Sequence, residues 1–207
     1  MKNILLVLLL LAANQLFSQS AIQGEYHFSR QEMVAGFNFL PAGKFEFYYS
    51  YGAVDRTATG TFTVKGDAIK LKSDKASGKD FTILSESVSG KGYTVKFEDP
   101  NNYLVNSILC IFLVNGKSQS AYSDDNGDVH IDVPDCDSIF VLHPLFPDIV
   151  TRIKDSKNRN NFFKLSLNPS LGQVSFKGID FKIINKKTIS CNSNYFMNID
   201  GIKFIKN

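Results

Sequence analysis

The sequence has no tryptophan, only three histidines and three cysteines, and none of the common catalytic motifs. It lacks G-x-S-x-G, H-E-x-x-H and the phosphate-binding P-loop, so it offers no hydrolase, zinc-protease or nucleotide signature. The cysteines and histidines do not cluster at the spacing of a zinc site. We therefore predict no cofactor, no metal and no catalytic residues, and we expect that the protein is not an enzyme.

The sequence also has no strong excess of charge of one sign. Its 23 basic and 20 acidic residues give a net charge of +3, which is too balanced to indicate nucleic acid as a partner. The charges are unevenly placed, because residues 124–137 contain six aspartates and residues 152–187 contain nine basic residues. These stretches are either solvated loops or, in the basic case, a face for an anionic glycan or lipid headgroup.

The one long hydrophobic run lies at the N-terminus. Lys2 precedes the run at residues 4–11, and the small residues Ser18 and Ser20 follow it. This order is typical of a secretory signal peptide over residues 1–20. The run is too short to span a bilayer, and no later segment is long and apolar enough to form a transmembrane helix. We expect the mature chain in the periplasm or outside the cell.

The three cysteines are candidates for a disulfide in such an oxidising compartment. Cys110 lies within an apolar run, where a buried free thiol packs as a small hydrophobic side chain. Cys136 and Cys191 have polar neighbours at the ends of predicted strands. We therefore predict a Cys136–Cys191 disulfide and a free thiol at Cys110.

Alternating apolar and polar residues, with 18 phenylalanines and 8 tyrosines, predict an all-β protein. The clearest strand is Lys44–Tyr51, in which every second residue from Phe45 is aromatic. Short strands in succession predict an antiparallel meander over residues 21–99, forming a partial or small barrel. The pattern breaks at residues 98–102, where we place a domain boundary.

Residues 103–207 are predicted to form a β-sandwich-like second half. Asn115-Gly116 and Asn126-Gly127 favour hairpin turns, because both residues of a type I′ turn need a positive φ. Residues 151–161 are predicted to form a polar loop or a short helical turn. Asp124-x-Asn126-x-Asp128 has the spacing of calcium ligands, but the glycine and glutamate of a calcium loop are missing, so a turn is preferred.

The N-terminal half resembles lipocalin-like domains. The resemblance rests on Gly24-x-Tyr26, on FNFLPAGKFEF at residues 37–47 and on TGTFTVKGDAIKL at residues 59–71. Tyr26 stands where that family usually has tryptophan. The whole chain is also similar to a family of uncharacterised secreted bacterial proteins, and this resemblance implies no known activity.

Residues 103–143 resemble transthyretin-like or carboxypeptidase-regulatory-like sandwich modules. The resemblance rests on VNGKSQSAYSDDNGDVHIDVPDCDSIFV at residues 114–141. In those modules this segment is a structural hairpin, so the resemblance implies a sandwich and no catalytic residue.

Three tyrosines, Tyr48, Tyr49 and Tyr51, are the candidate ligand-binding residues. They precede a glycine turn, and tyrosine combines an apolar ring with a hydrogen-bonding tip, which suits a sugar or peptide. Core packing of this aromatic face is the competing interpretation, and Glu46 is the one candidate for a glycosidase carboxylate.

We expect an exported, non-catalytic β module that binds a glycan, a peptide, a small apolar molecule or an envelope protein. The alternatives are a glycan-active hydrolase with unrecognised carboxylates and a purely structural envelope protein.

Overall fold

A computed structural model describes residues 22–206, and the predicted signal peptide lies outside this range. The described chain is all-β, as the alternation predicted, with 55% of residues 22–206 in strands. No helix within residues 22–206 has the length and apolar character needed to cross a membrane. The chain divides into two compact units, one formed by residues 22–76 with 172–206 and the other by Ser77–Leu171.

The first unit is a closed antiparallel barrel of eight strands. Five consecutive strands form the predicted meander, and three strands from the C-terminal end close it. Numbered along the whole chain, they are β1 (Gly24–Arg30), β2 (Met33–Leu40), β3 (Lys44–Tyr51), β4 (Val54–Lys65), β5 (Ala68–Ser73), β14 (Asp180–Asn185), β15 (Thr188–Cys191) and β16 (Ile202–Lys206). Their order around the barrel is β1-β16-β15-β14-β5-β4-β3-β2.

The interior of the barrel is packed with aromatic rings. Successive side chains of a strand point to opposite faces, so Phe45, Phe47 and Tyr49 of β3 all point inwards and are buried. The ring of Phe37 lies at the centre of this packing, with six other rings at centroid distances of 4.6–6.1 Å. These neighbours are Phe39, Phe45, Phe47, Phe176, Phe181 and Phe204.

The second unit consists of two four-stranded sheets that share one hydrophobic core, so a β-sandwich is present but over Ser77–Leu171 and not over residues 103–207 as predicted. One sheet contains β6 (Phe81–Ser87), β7 (Tyr93–Glu98), β10 (Asp128–Ile131) and β13 (Phe162–Leu167), in the order β10-β7-β13-β6. The other contains β8 (Leu109–Val114), β9 (Lys117–Tyr122), β11 (Ser138–Leu142) and β12 (Thr151–Lys154), in the order β12-β11-β8-β9. Phe97 and Phe163 of the first sheet share the core with Phe112 and Ile139 of the second.

The units are not separated at residues 98–102, where the sequence pattern breaks. The strands β6 and β7 were expected in the meander of residues 21–99 but belong to the sandwich. The strands β14 to β16 were expected in the second half, residues 103–207, but belong to the barrel. A five-stranded meander has two edges with unpaired backbone groups, and pairing with the C-terminal strands satisfies both.

The two Asn-Gly sequences behave differently. Asn115 and Gly116 have φ angles of 50° and 73° and join β8 to β9, so the first predicted hairpin is confirmed. Asn126-Gly127 joins β9 to β10, which lie in different sheets, so the second predicted hairpin is wrong. The carboxylate of Asp124 closes this connection by accepting hydrogen bonds from the backbone N–H groups of Asn126 and Asp128, each at 2.9 Å.

The prediction of a loop or helical turn over residues 151–161 is also partly wrong. Thr151–Lys154 forms the edge strand β12, and the loop begins at Asp155. Four residues are too few to show an alternating pattern, and the buried residues of this strand include the polar Thr151 and Lys154 beside Ile153.

All three cysteines are buried free thiols, so the predicted Cys136–Cys191 disulfide is not formed. Cys136 packs in the core of the sandwich, whereas Cys191 packs in the core of the barrel. Burial raises the pKa of the Cys191 thiol to about 12 and also raises the pKa values of Cys110 and Cys136. The polar neighbours that suggested the pair mark strand ends and do not indicate which core each side chain enters.

Candidate ligand-binding site

The outward-facing side chains of β1, β2 and β3 surround a surface hollow of about 370 Å³. Because side chains alternate along each strand, residues between the buried aromatics point to this outer face. The hollow is lined by Glu25, His27, Asn38, Glu46 and Tyr48, with the buried Phe37 and Phe47 at its base.

One side of the hollow is formed by the ring of Tyr48. The strand register aligns Tyr48 with Gly36 and His27 across β3, β2 and β1. The tyrosine ring lies directly over Gly36, since a Cβ atom added there would be 2.8 Å from Cζ of Tyr48 and closer still to Cε1. The hydroxyl of Tyr48 forms a hydrogen bond of 3.1 Å with Nδ1 of His27. The ring is therefore held in place although 44% of the residue is exposed.

A row of polar side chains lies beside the Tyr48 ring. The same register aligns Glu25, Asn38 and Glu46 on adjacent strands. The amide nitrogen of Asn38 donates a hydrogen bond of 3.2 Å to Glu46 Oε2, and His27 Nε2 lies 3.5 Å from Glu25 Oε2. Carboxylates accept hydrogen bonds and the amide both accepts and donates them. The hollow thus combines an aromatic surface with a row of hydrogen-bonding groups.

The three tyrosines predicted as ligand-binding residues are not brought together. Tyr48 lines the hollow, whereas Tyr49 points into the barrel, where it is only 5% exposed and its ring centroid lies 5.5 Å from that of Phe196. Burial raises the pKa of the Tyr49 hydroxyl. Tyr51 is 48% exposed at the end of β3 but does not line the hollow. Of the three, only Tyr48 is positioned in this site.

Reasoning from the sequence missed Glu25, His27, Asn38 and Gly36 as site residues. They lie on β1 and β2, and their proximity to Tyr48 depends on strand register. Two signals were present: Glu25 and His27 alternate with the buried Tyr26, and Gly36 interrupts a strand rich in phenylalanine.

Within residues 22–206, no group of three or more histidine, cysteine, aspartate or glutamate side chains is placed to hold a metal ion. No protein-family model matches the chain, and neither curated proteins nor solved structures include a significant match. Function is therefore inferred from the geometry and chemistry of the hollow.

Proposed function

We propose that the protein is an exported, non-catalytic β module that binds a glycan in the cell envelope. The observation that supports this proposal is the fixed, half-exposed ring of Tyr48 beside the row of Glu25, Asn38 and Glu46. A sugar ring has an apolar face of C–H groups and a rim of hydroxyls. Tyrosine offers an apolar surface to the first, and carboxylates and amides offer acceptors and donors to the second.

The packing of side chains inside the barrel is the reason for placing the ligand on its outer face. The first unit is an eight-stranded antiparallel barrel, and the sandwich of Ser77–Leu171 forms the other unit. A barrel of this size can either hold a small ligand or fill its interior with side chains. Here Phe37 and its six aromatic neighbours fill the interior, so we place the ligand against the outward-facing residues.

Export rests on the N-terminal residues 1–20, whose composition favours a cleaved signal peptide. In the periplasm or outside the cell, the available partners include envelope polysaccharides. N-terminal sequencing of the secreted protein tests this step, since a retained Met1 would contradict it.

The test of glycan binding is a glycan array followed by calorimetric titration of the best ligand. Tyr48→Ala should weaken binding at least tenfold, which corresponds to about 1.4 kcal/mol. Gly36→Ala should weaken it as well, because the new methyl group displaces the Tyr48 ring. Tyr51→Ala is the matched control, since it removes an equally exposed tyrosine of the same strand outside the hollow. Equal losses for Tyr48→Ala and Tyr51→Ala would contradict the proposed site.

A second candidate function is glycan hydrolysis. Glu25 and Glu46 lie in register on strands separated only by β2, which places their backbones about 10 Å apart. The carboxyl groups of an inverting glycosidase lie about 6.5–9.5 Å apart. The hydrolase would be favoured if the protein releases new reducing ends from the bound glycan and if Glu25→Gln and Glu46→Gln each abolish this release. Binding without release favours the non-catalytic module, and no glycan binding leaves the structural envelope role.

A further inference from the structure

Three loops at one end of the sandwich enclose a second hollow of about 640 Å³. They are the loop between β6 and β7, the loop between β10 and β11, and the loop between β12 and β13. The volume lies within the range of about 300–1,000 Å³ that is usual for small-molecule sites. This hollow belongs to a different unit from the glycan site.

Hydrogen bonds hold the loops in place. Asn161 Oδ1 accepts a hydrogen bond of 2.7 Å from the backbone N–H of Ser89, and Nδ2 donates to the carbonyls of Gly90 and Gly92. Residue 92 is glycine for a steric reason as well, because a Cβ atom there would collide with the carbonyl oxygen of Ile131. The β6–β7 loop is thereby fixed against both neighbouring strands.

The opposite wall is held in the same way. The hydroxyl of Tyr93 donates to Asp135 Oδ1 at 3.3 Å and accepts a hydrogen bond of 3.1 Å from the backbone N–H of Cys136. Asp135 Oδ1 also accepts from the Cys136 N–H at 2.9 Å. These hydrogen bonds fix the wall, which lowers the entropy cost of binding.

Charges of opposite sign line the two sides of this hollow. Strand order places Asp132 after β10, Lys91 before the adjacent β7, and Arg159 before β13, which is next in the sheet. Adjacent strands are about 4.8 Å apart, so β10 and β13, which flank β7, are separated by about 10 Å. Within residues 22–206, none of these three side chains forms a hydrogen bond or ion pair with another residue. The exposed Val88 adds an apolar surface.

We propose that this hollow binds a short zwitterionic peptide, of about two residues, by its two charged ends. The peptide carboxylate lies towards Arg159 and Lys91, and the peptide ammonium lies towards Asp132 and Asp135. An extended dipeptide spans about 7 Å between its ends, which is less than the separation of about 10 Å between β10 and β13. A simple anion would leave the aspartates beside a like charge, whereas a zwitterion pairs both sides.

The experiment is calorimetric titration of the mature chain with alanyl-alanine and with two capped forms of the same dipeptide. N-acetylation removes the ammonium and C-amidation removes the carboxylate, while size and shape are nearly unchanged. We expect alanyl-alanine to bind with a Kd between about 0.1 and 1 mM. Each cap should weaken binding at least fivefold.

Variants locate the site. Arg159→Gln and Asp132→Asn should each weaken dipeptide binding at least fivefold, and Arg159→Gln should also reduce the difference between the free and amidated carboxyl ends, because only Lys91 then remains to pair with the carboxylate. Lys157→Gln is the matched control, because it removes a positive charge from the same loop but does not line the hollow. Thermal unfolding of each variant checks that the fold is retained.

Three results would overturn the proposal: no saturation up to about 10 mM ligand, equal affinity for the capped and free dipeptides, or equal losses for Arg159→Gln and Lys157→Gln. None of them bears on the glycan site, which is tested with other ligands and other variants.

Discussion

Removal of residues 172–207 should unfold the barrel, although its first five strands remain in the chain. The truncated chain lacks β14, β15 and β16, so β1 and β5 become open edges with unpaired backbone groups. It also loses seven side chains from the barrel core, each no more than 2% exposed. These are Val174, Phe176, Phe181, Ile189, Met197, Ile202 and Phe204.

The size of the loss follows from this burial. Burying one such side chain stabilises a fold by about 1.5–3 kcal/mol, so the seven together contribute about 10–21 kcal/mol. The whole unfolding free energy of a typical domain is only about 5–15 kcal/mol. The truncated barrel should therefore have no stable folded state. The sandwich, Ser77–Leu171, keeps all eight strands and its complete core, so it should fold alone.

The assay compares the amide NMR spectra and thermal unfolding of three chains: residues 22–206, 22–171 and 77–171. The two shorter chains should show the same dispersed sandwich signals and the same cooperative transition, and the chain of residues 22–171 should show no dispersed barrel signals. The control removes the sandwich and joins residue 76 to residue 172 with a short glycine-serine linker.

A short linker suffices because both barrel segments attach to β4 near the excision. The N–H of Asp74 donates a hydrogen bond to the carbonyl of Thr59 in β4. Two residues earlier in β4, the N–H of Thr57 donates to the carbonyl of Gly172. This excised barrel should fold. Dispersed barrel signals from residues 22–171 would refute the argument, because five strands would then be sufficient. Failure of residues 77–171 to fold would equally show that the sandwich core is incomplete by itself.

Three further predictions concern the cores. Phe37→Ala should lower the unfolding free energy of the barrel by about 3–5 kcal/mol in urea denaturation, whereas Val34→Ala, on the outer face of the same strand, should change it by less than about 0.5 kcal/mol. His143 is buried and its pKa is lowered by desolvation, so the unfolded state binds the proton more readily than the folded state. As the pH is lowered from about 6.5, the unfolding free energy should therefore decrease, by at most about 1.4 kcal/mol per pH unit. His143→Gln should remove this pH-dependent contribution. Titration of the unfolded, unreduced protein with a thiol reagent should find three free thiols, whereas a single free thiol would restore the disulfide that the structure lacks.

Features that depend only on neighbouring residues could be predicted from the sequence. Alternation along β3 placed Phe45 and Phe47 on one face because a strand has a side-chain period of two, whatever it pairs with. Asn115-Gly116 specified a tight turn because its positive φ angles are a local steric matter. The all-β class follows from many such local preferences.

The pairing of the strands, in contrast, is known only from the three-dimensional fold. The hydrogen bonds between strands join backbone groups that are the same in every residue, so the sequence of one strand does not identify the strand with which it pairs. The register of a pair is set by the burial of whole faces. This is why the closure of the barrel by β14 to β16 could not be read from the sequence. It is also why a disulfide was predicted between Cys136 and Cys191, although these residues lie in different cores. The candidate site has the same origin, because Glu25, Asn38 and Glu46 become neighbours only through the register of three strands.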